Sequence, residues 1–285
     1  MLNRPARMRR SGRPERSLQQ EYAAFIEERI EEFKQQISRE ELLRIADEAV
    51  RELDAGAEDQ LLLTEVLMLD HVDRLIRQRL NLPTFRRWRT RHIKLRRAQR
   101  GPTHWGIDGR SPIVSLAERA DLDGQALVVG GAAAPIALYL AAFDWPVVFI
   151  DADVPIVEGL ETRAAAEALG SRVDAYVVSL GYWLPEVRPT LTVLDPGALA
   201  RANPAEREQF LRALLDRTPT GGVHCLMPGT PGRDAITLGP ETVKAYYSGW
   251  HLERIHDGSG RGLIATRPLE PSSIAERRSE TAADG

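Results

Sequence analysis

The stretch that most constrains the fold covers residues 125–151 and reads QALVVGGAAAPIALYLAAFDWPVVFID. It joins a short apolar run, a turn of small residues, a buried helix and a second apolar run that ends on an acid. Short apolar runs of this kind are typical of strands that are buried on both faces of a parallel sheet. We therefore predict strands over 126–129 and 147–150 and a helix over 136–143, with Pro135 in its first turn.

The turn after the first strand carries almost no side chains, because Gly130 and Gly131 are followed by three alanines. A bare turn that leads into a helix N-terminus lets a ligand approach the backbone. An acid at the end of the next strand is placed to accept hydrogen bonds from a ribose diol. The pattern predicts a nucleoside-cofactor site that includes Gly130, Gly131, Ala132, Asp151 and Ala152.

Composition limits the class of protein. The chain has 285 residues, of which 43% are hydrophobic and 28% charged, as in a soluble globular protein. No apolar run approaches the roughly 20 residues that span a bilayer, and the basic N-terminus lacks the apolar core of a secretory signal. The single cysteine, Cys225, excludes an internal disulfide and a cysteine metal cluster. We expect a cytoplasmic protein without a metal site or a membrane span.

The first part of the chain indicates helices. We predict a disordered basic tail over 1–16, a helical domain over 17–100 and a linker over 101–124. Two capping boxes, at Ser17 and Ser38, open amphipathic helices, and a third helix is predicted over 58–80 with Leu69 among its inward residues. Three such helices are typical of a small bundle that packs on itself or on a partner subunit. We expect a homo-oligomer formed through these helices.

Residues 84–100 form a basic segment with seven arginines, one lysine and no acid. Phe85, Trp88, His92 and Leu95 recur at helical spacing, so we predict a basic amphipathic helix. One interpretation is a phosphate-binding surface for nucleic acid or anionic lipid. The other is a solvated helix whose aromatic stripe docks on the C-terminal part of the chain, which is acidic: residues 111–285 hold 15 basic and 23 acidic side chains, a net of −8. We favour the second interpretation.

From residue 126 onwards strands and helices alternate. Further strands are predicted over 173–179, 191–194 and 223–227, and further helices over 155–169, 204–217 and 241–249. Two late strands, over 251–256 and 262–266, are joined by a short turn and predict an antiparallel edge hairpin. Residues 269–285 are polar, and we expect a disordered tail.

This order resembles the class I S-adenosylmethionine-dependent methyltransferases over residues 111–268. The strings that carry the resemblance are ALYLA (137–141), VVFIDADVPIVEGLE (147–161), LTVLDPGAL (191–199) and LLDRTPTGGVHCLMP (214–228). The resemblance implies an α/β fold over 125–268, a Rossmann-like, doubly wound, seven-stranded sheet with an antiparallel C-terminal hairpin. It also implies S-adenosylmethionine as the cofactor.

The family's cofactor motif maps unevenly onto this sequence. Aligned on ALYLA, the family's acid falls at Val128, and its three glycines fall at Gly130, Ala132 and Ala134. The two alanines keep the turn small, but each adds a Cβ atom and disfavours a positive φ. The ribose-binding acid corresponds to Asp151, with Asp153 as a second candidate.

Two further site positions follow from the same alignment. The acid near the adenine amino group falls at Ser179 or Leu180. Asp195, after the fourth strand, is the candidate for contact with the methyl acceptor, and the alternative is a helix N-cap or a turn residue.

Three functional hypotheses follow. The first is an active methyltransferase that acts on a small molecule or a protein. The second is a catalytically silent methyltransferase-like domain for binding or assembly. The third is a nucleic-acid-binding protein that works through residues 84–100.

Overall fold

The computed structural model describes residues 17–56, 65–119, 122, 124–227, 245–257 and 260–269. They divide into a helical unit that ends at Leu95 and a sheet unit that begins at Arg96. Residues 1–16 and nearly all of the expected C-terminal tail lie outside the described residues. Within those residues, no helix has the length and apolarity needed to cross a membrane.

The helical unit contains α1 (Leu18–Gln36), α2 (Arg39–Gly56), α3 (Glu65–Arg79) and most of α4 (Phe85–Gln99). The capping box at Ser17 is confirmed, because the Ser17 hydroxyl accepts from the Gln20 amide at 3.2 Å and the Gln20 side chain accepts from the Ser17 amide at 2.8 Å. Ser38 caps α2 by accepting from the Glu41 amide at 3.2 Å. Local hydrogen bonds of this kind fix where each helix begins.

The core of the helical unit is aliphatic and consists of Ile26, Ile30, Ile45, Ala49, Val72, Leu75 and Ile76. The prediction that Leu69 faces inward is wrong, because that side chain is 51% exposed. Among the described side chains of α3, the first buried one lies one turn later, at Val72. Residues 57–64, which contain the first part of the predicted third helix, lie outside the described residues.

The sheet unit opens with a 3₁₀ turn (Pro102–Trp105) and α5 (Pro112–Glu118). Its strands are β1 (Gln125–Val129), β2 (Val147–Asp151), β3 (Val173–Val177), β4 (Pro189–Leu194), β5 (Val223–Leu226), β6 (His251–Asp257) and β7 (Gly260–Thr266). Their spatial order is β3-β2-β1-β4-β5-β7-β6. The first five strands are parallel, and β7 is antiparallel to both β5 and β6. The predicted seven-stranded sheet with a C-terminal hairpin is confirmed.

Helices cover both faces of this sheet. They are α6 (Ala134–Ala142), α7 (Val154–Ala166), α8 (Pro196–Arg201) and α9 (Pro204–Arg217). Successive side chains of β1 alternate between two cores: Ala126 and Val128 join α5, α6 and α7, whereas Leu127 and Val129 join α8 and α9. Because a strand has a period of two, burial on both faces requires the uninterrupted apolar run seen in the sequence.

A histidine is fully enclosed on the face of the sheet that carries the second core. His224 on β5 has no exposed surface. Its Nε2 lies 2.8 Å from the Thr218 hydroxyl, which donates to the Leu214 carbonyl, so Nε2–H must donate to Thr218. Its Nδ1 then accepts from the Tyr247 hydroxyl at 3.0 Å. Burial, with a smaller contribution from the positive charge of Arg267, lowers the pKa of His224 to about 3.

His224 therefore makes stability depend on pH. Its folded pKa lies below the unfolded value of about 6.5, so the unfolded chain takes up the proton first, and stability falls as pH falls from about 6.5 towards about 3. Between pH 7 and pH 5 this term amounts to about 2 kcal/mol. We expect the free energy of unfolding, measured in urea, to fall by about that much more in the wild type than in His224→Gln. Equal pH slopes for the two proteins would contradict this assignment.

Candidate functional site

The carboxyl ends of the parallel strands form one edge of the sheet. Gly130, Ser179 and Asp195 follow β1, β3 and β4, and Asp151 is the last residue of β2, so all four are at this edge. The order reverses between β1 and β4, where neighbouring crossovers leave on opposite faces. In open α/β sheets, ligands bind in the crevice at this reversal.

The glycine turn is packed against side chains on two sides. Gly130 has a φ of 97°, and a Cβ atom there would lie 2.5 Å from Cβ of Asp195 and 2.7 Å from Cβ of Ala198. A Cβ atom on Gly131 would lie 2.6 Å from Cδ1 of Ile156. Gly130 is therefore required by contacts within the protein itself, whereas at Gly131 the nearest atom is the end of a flexible side chain.

The two alanines of the turn are not strained. Ala134 is helical, with φ −53° and ψ −41°, and Ala132 is absent from the described non-glycine residues that have a positive φ. The expected conformational penalty at these positions is therefore wrong, since only Gly130 adopts the conformation that favours glycine. Ala132 is exposed at the edge of the sheet, whereas Val128 is buried in the core beneath it.

Asp195 connects the turn after β1 to α8. Its Oδ1 accepts from the Gly197 amide at 2.8 Å, which makes it the N-cap of α8. Its Oδ2 lies 3.3 Å from the Ala132 amide, which donates to it. The residue is only 7% exposed. The carboxylate predicted to contact an acceptor thus serves as an N-cap and holds a backbone N–H of the glycine turn.

Asp151 is a buried carboxylate with one partner side chain that is largely exposed. Its side chain has no exposed surface; Oδ1 accepts from the Asp153 amide at 2.8 Å, and Oδ2 accepts from Nη2 of Arg201 at 3.3 Å. The Arg201 side chain is 55% exposed. Asp153, the second candidate for the ribose acid, and Ala152 are both exposed. Of the two acids, only Asp151 is buried.

An open cavity of about 500 Å³ lies beyond β3. It is lined by Val177, Val178, Ser179, Tyr182 and Trp183. The Val178 amide donates to the Asp151 carbonyl at 2.8 Å, so this cavity lies close to the end of β2.

The walls of this cavity combine exposed aromatic rings with a hydroxyl. Tyr182 and Trp183 are both exposed, and Ser179 adds the polar group. Leu180 is buried in the core of the sheet unit and does not line the cavity. Exposed aromatic rings beside a polar group suit a planar heterocycle.

Several of these residues were not predicted from the sequence. Arg201 lies on α8. This helix was not predicted from the sequence, although Asp195 followed by Pro196 is a helix-start signal. Tyr182 and Trp183 lie in the segment between the third and fourth strands, and their aromatic character was the available signal. No local pattern pairs Arg201 with Asp151, because the two residues are far apart in the chain.

Comparison with known proteins gives structural likeness alone. No family model matches the chain, and no curated protein matches it. The glycopeptide N-methyltransferase MtfA, complexed with S-adenosyl-L-homocysteine, is 14% identical with a TM-score of 0.44, over 57% of this chain and 91% of that one. TehB from Haemophilus influenzae is 15% identical with a TM-score of 0.42, over 54% and 61%. An O-methyltransferase family protein from Burkholderia thailandensis is 13% identical with a TM-score of 0.41, over 55% of each chain.

The packing of Gly130 can be tested by one substitution. We expect Gly130→Ala to destabilise the protein by about 3 kcal/mol or more, because the new methyl group meets Asp195 and Ala198 and the φ is unfavourable. Gly159→Ala in α7 is the matched control, because a Cβ atom there has nothing within 4 Å. That change should stabilise the helix by about 0.5–1 kcal/mol. Thermal unfolding of both variants measures the difference, and equal shifts would contradict the packing.

Proposed function

We propose that this chain, whose fold is that of the class I S-adenosylmethionine-dependent methyltransferases, binds S-adenosylmethionine at the carboxyl edge of its sheet and acts as a methyltransferase on a small-molecule or protein acceptor. The observation that carries the proposal is the buried carboxylate of Asp151 beside the aromatic cavity after β3. In this arrangement Asp151 holds the ribose, and Tyr182, Trp183 and Ser179 hold the adenine.

Arg201 has to give way for the ribose to bind. Its bond to Asp151 is long, at 3.3 Å, and half of its side chain is in solvent. The carboxylate, in contrast, is already desolvated by the fold, so hydroxyl donors of a ribose replace the guanidinium without a further burial penalty. The buried acid is thus ready to accept a diol.

The chemistry requires little from the protein beyond positioning. The cofactor, when bound, supplies a methyl group on a sulfonium, and transfer to the acceptor is an in-line displacement. The chain's own residues bind and orient the adenosine half through Asp151 and the cavity after β3. No side chain of the described residues has to move a proton unless the acceptor atom is protonated.

A catalytically silent binding domain is the second candidate, and one observation favours it. Asp195 and Ala198 fill the space above Gly130, and the Ala132 amide already donates to Asp195. Val128 is buried in the core, where the resemblance implies an acid for the methionine end of the cofactor. This end of the site therefore offers fewer contacts than the adenosine end.

Calorimetry with S-adenosylmethionine separates the two candidates. We expect the wild type to bind the cofactor and Asp151→Asn to bind it about tenfold or more weakly, since hydrogen bonds to a charged group contribute about 1.5–3 kcal/mol. Asp153→Asn is the matched control: Asp153 is exposed, its side chain makes no capping bond, and asparagine is an equally good N-cap. The control should bind like the wild type.

The outcomes of this titration are distinct. The absence of binding heat at millimolar cofactor, in a wild type that remains folded, would overturn the proposal and leave the silent domain. If both substitutions weakened cofactor binding equally, Asp151 would not be the residue that holds the ribose. We expect Arg201→Ala to bind as tightly as the wild type or more tightly, because its guanidinium competes for Oδ2 of Asp151.

The aromatic wall of the cavity gives a separate prediction. Stacking of a base on an aromatic ring contributes about 1–3 kcal/mol, so Trp183→Ala should weaken cofactor binding about tenfold. Trp183→Phe retains a π-face and should stay within about threefold of the wild type. The same titration measures both variants. Similar losses in the two would show that stacking is not the contribution of Trp183.

A further inference from the structure

Helix α4 presents a basic surface that the proposed function does not use. Its exposed basic side chains include Arg86, Arg87, Arg89, Arg91 and Lys94, which belong to the helical unit and which we call the basic face of α4. At about 100° and 1.5 Å per residue, these five side chains cover an arc of about 200° along roughly 12 Å of helix. They form a broad cationic surface on one helix.

The basic face of α4 lacks acidic partners among the described residues. Some exposed arginines elsewhere are paired within their own helices, as in Arg29 with Glu32 and Arg44 with Glu40. Such pairs need an acid three or four residues away. The sequence has no acid between Asp73 and Asp108, so α4 has no such acid. The charges of this face are therefore available to an external anion.

Two guanidinium groups of this face flank a depression in the surface. Arg86 and Arg89 line it together with Thr90 and Ile93, and its volume is about 310 Å³. The Thr90 hydroxyl donates to the Arg86 carbonyl at 3.0 Å, which leaves its oxygen free to accept. The guanidinium fork matches the oxygens of a phosphate, and four of the five cations are arginines.

The opposite side of α4 is already occupied. Trp88 is 8% exposed; its ring stacks on His92 at 4.5 Å and contacts Tyr22 at 5.4 Å and Phe25 at 6.2 Å. The ring contacts of the aromatic stripe thus lie on α1, where the sequence analysis expected docking on the C-terminal domain. A helix that adsorbs to a membrane must bury its apolar side in the lipid. Because that side of α4 is packed against α1, an anionic membrane is a poor partner.

We propose that the basic face of α4 binds the phosphate backbone of a nucleic-acid duplex without reading its bases. A duplex places phosphates on both sides of a groove, which suits cations spread over a wide arc of one helix. Five cations that neutralise three to five phosphates give a salt dependence with a log–log slope of roughly −3 to −4.5. This inference does not depend on cofactor binding.

Fluorescence anisotropy with labelled duplexes of about 20 base pairs tests the proposal on the full chain. We expect binding to DNA and RNA duplexes of the same sequence to weaken steeply between about 50 and 200 mM NaCl. The variant Arg87→Gln/Arg91→Gln/Lys94→Gln should bind about 10- to 100-fold more weakly at low salt, and its slope should be smaller by about 2 to 3. Glutamine has nearly the helix propensity of arginine, so α4 should remain intact.

The matched control is Arg29→Gln/Arg44→Gln/Arg212→Gln. It removes the same charge from exposed arginines that are paired with Glu32, Glu40 and Glu208. The basic N-terminal residues are present in both variants, so they cannot account for a difference between them. Equal losses in the two variants, or no duplex binding at low salt, would overturn the proposal.

Two further measurements on the same proteins would recognise other partners. If the α4 variant breaks up a self-associated form in light scattering while the wild type binds no duplex, the face docks on an acidic surface of a second copy. If the wild type binds phosphatidylserine vesicles and no duplex, the partner is a membrane. Either result would overturn the proposal.

Discussion

The carboxylate of Asp195 is the interaction on which the carboxyl edge of the sheet depends. Its two oxygens accept from the Gly197 and Ala132 amides, so one side chain fixes both the start of α8 and the turn after β1. These two segments follow the central strands β4 and β1. Since the group is buried, its loss would leave two backbone donors without their partner, each at about 1–3 kcal/mol.

The same contact explains why position 130 is glycine while positions 132 and 134 hold alanine. Only Gly130 has the positive φ and lies directly against Asp195 and Ala198. Ala132 and Ala134 have room for a methyl group because they lie beyond that contact. Internal packing requires glycine at position 130, whether or not a cofactor approaches the turn.

The sequence was sufficient to predict the strands of the sheet, but it was insufficient to predict the contacts within the candidate site. Apolar runs such as 126–129 are set by burial on both faces, a local property that a periodic pattern records. The pairing of Arg201 with Asp151 depends instead on how two distant segments meet, which no spacing in the chain encodes. Helix α8 lies between these cases, because its Asp-Pro start is local and was readable. Leu69 fits the periodic pattern yet is exposed. Periodicity predicts which side of a helix is apolar, but it does not predict which element packs against that side.

The two ends of the site differ in what they offer a ligand. The adenosine end has a desolvated acid and an open aromatic cavity, whereas the methionine end has Val128 in the core and an amide already engaged by Asp195. On the proposed function, most of the binding free energy therefore comes from the nucleoside half. S-adenosylmethionine and S-adenosylhomocysteine share that half, so this edge discriminates weakly between the methyl donor and its product. Selection between them then has to come from the acceptor, whose methylation consumes the donor.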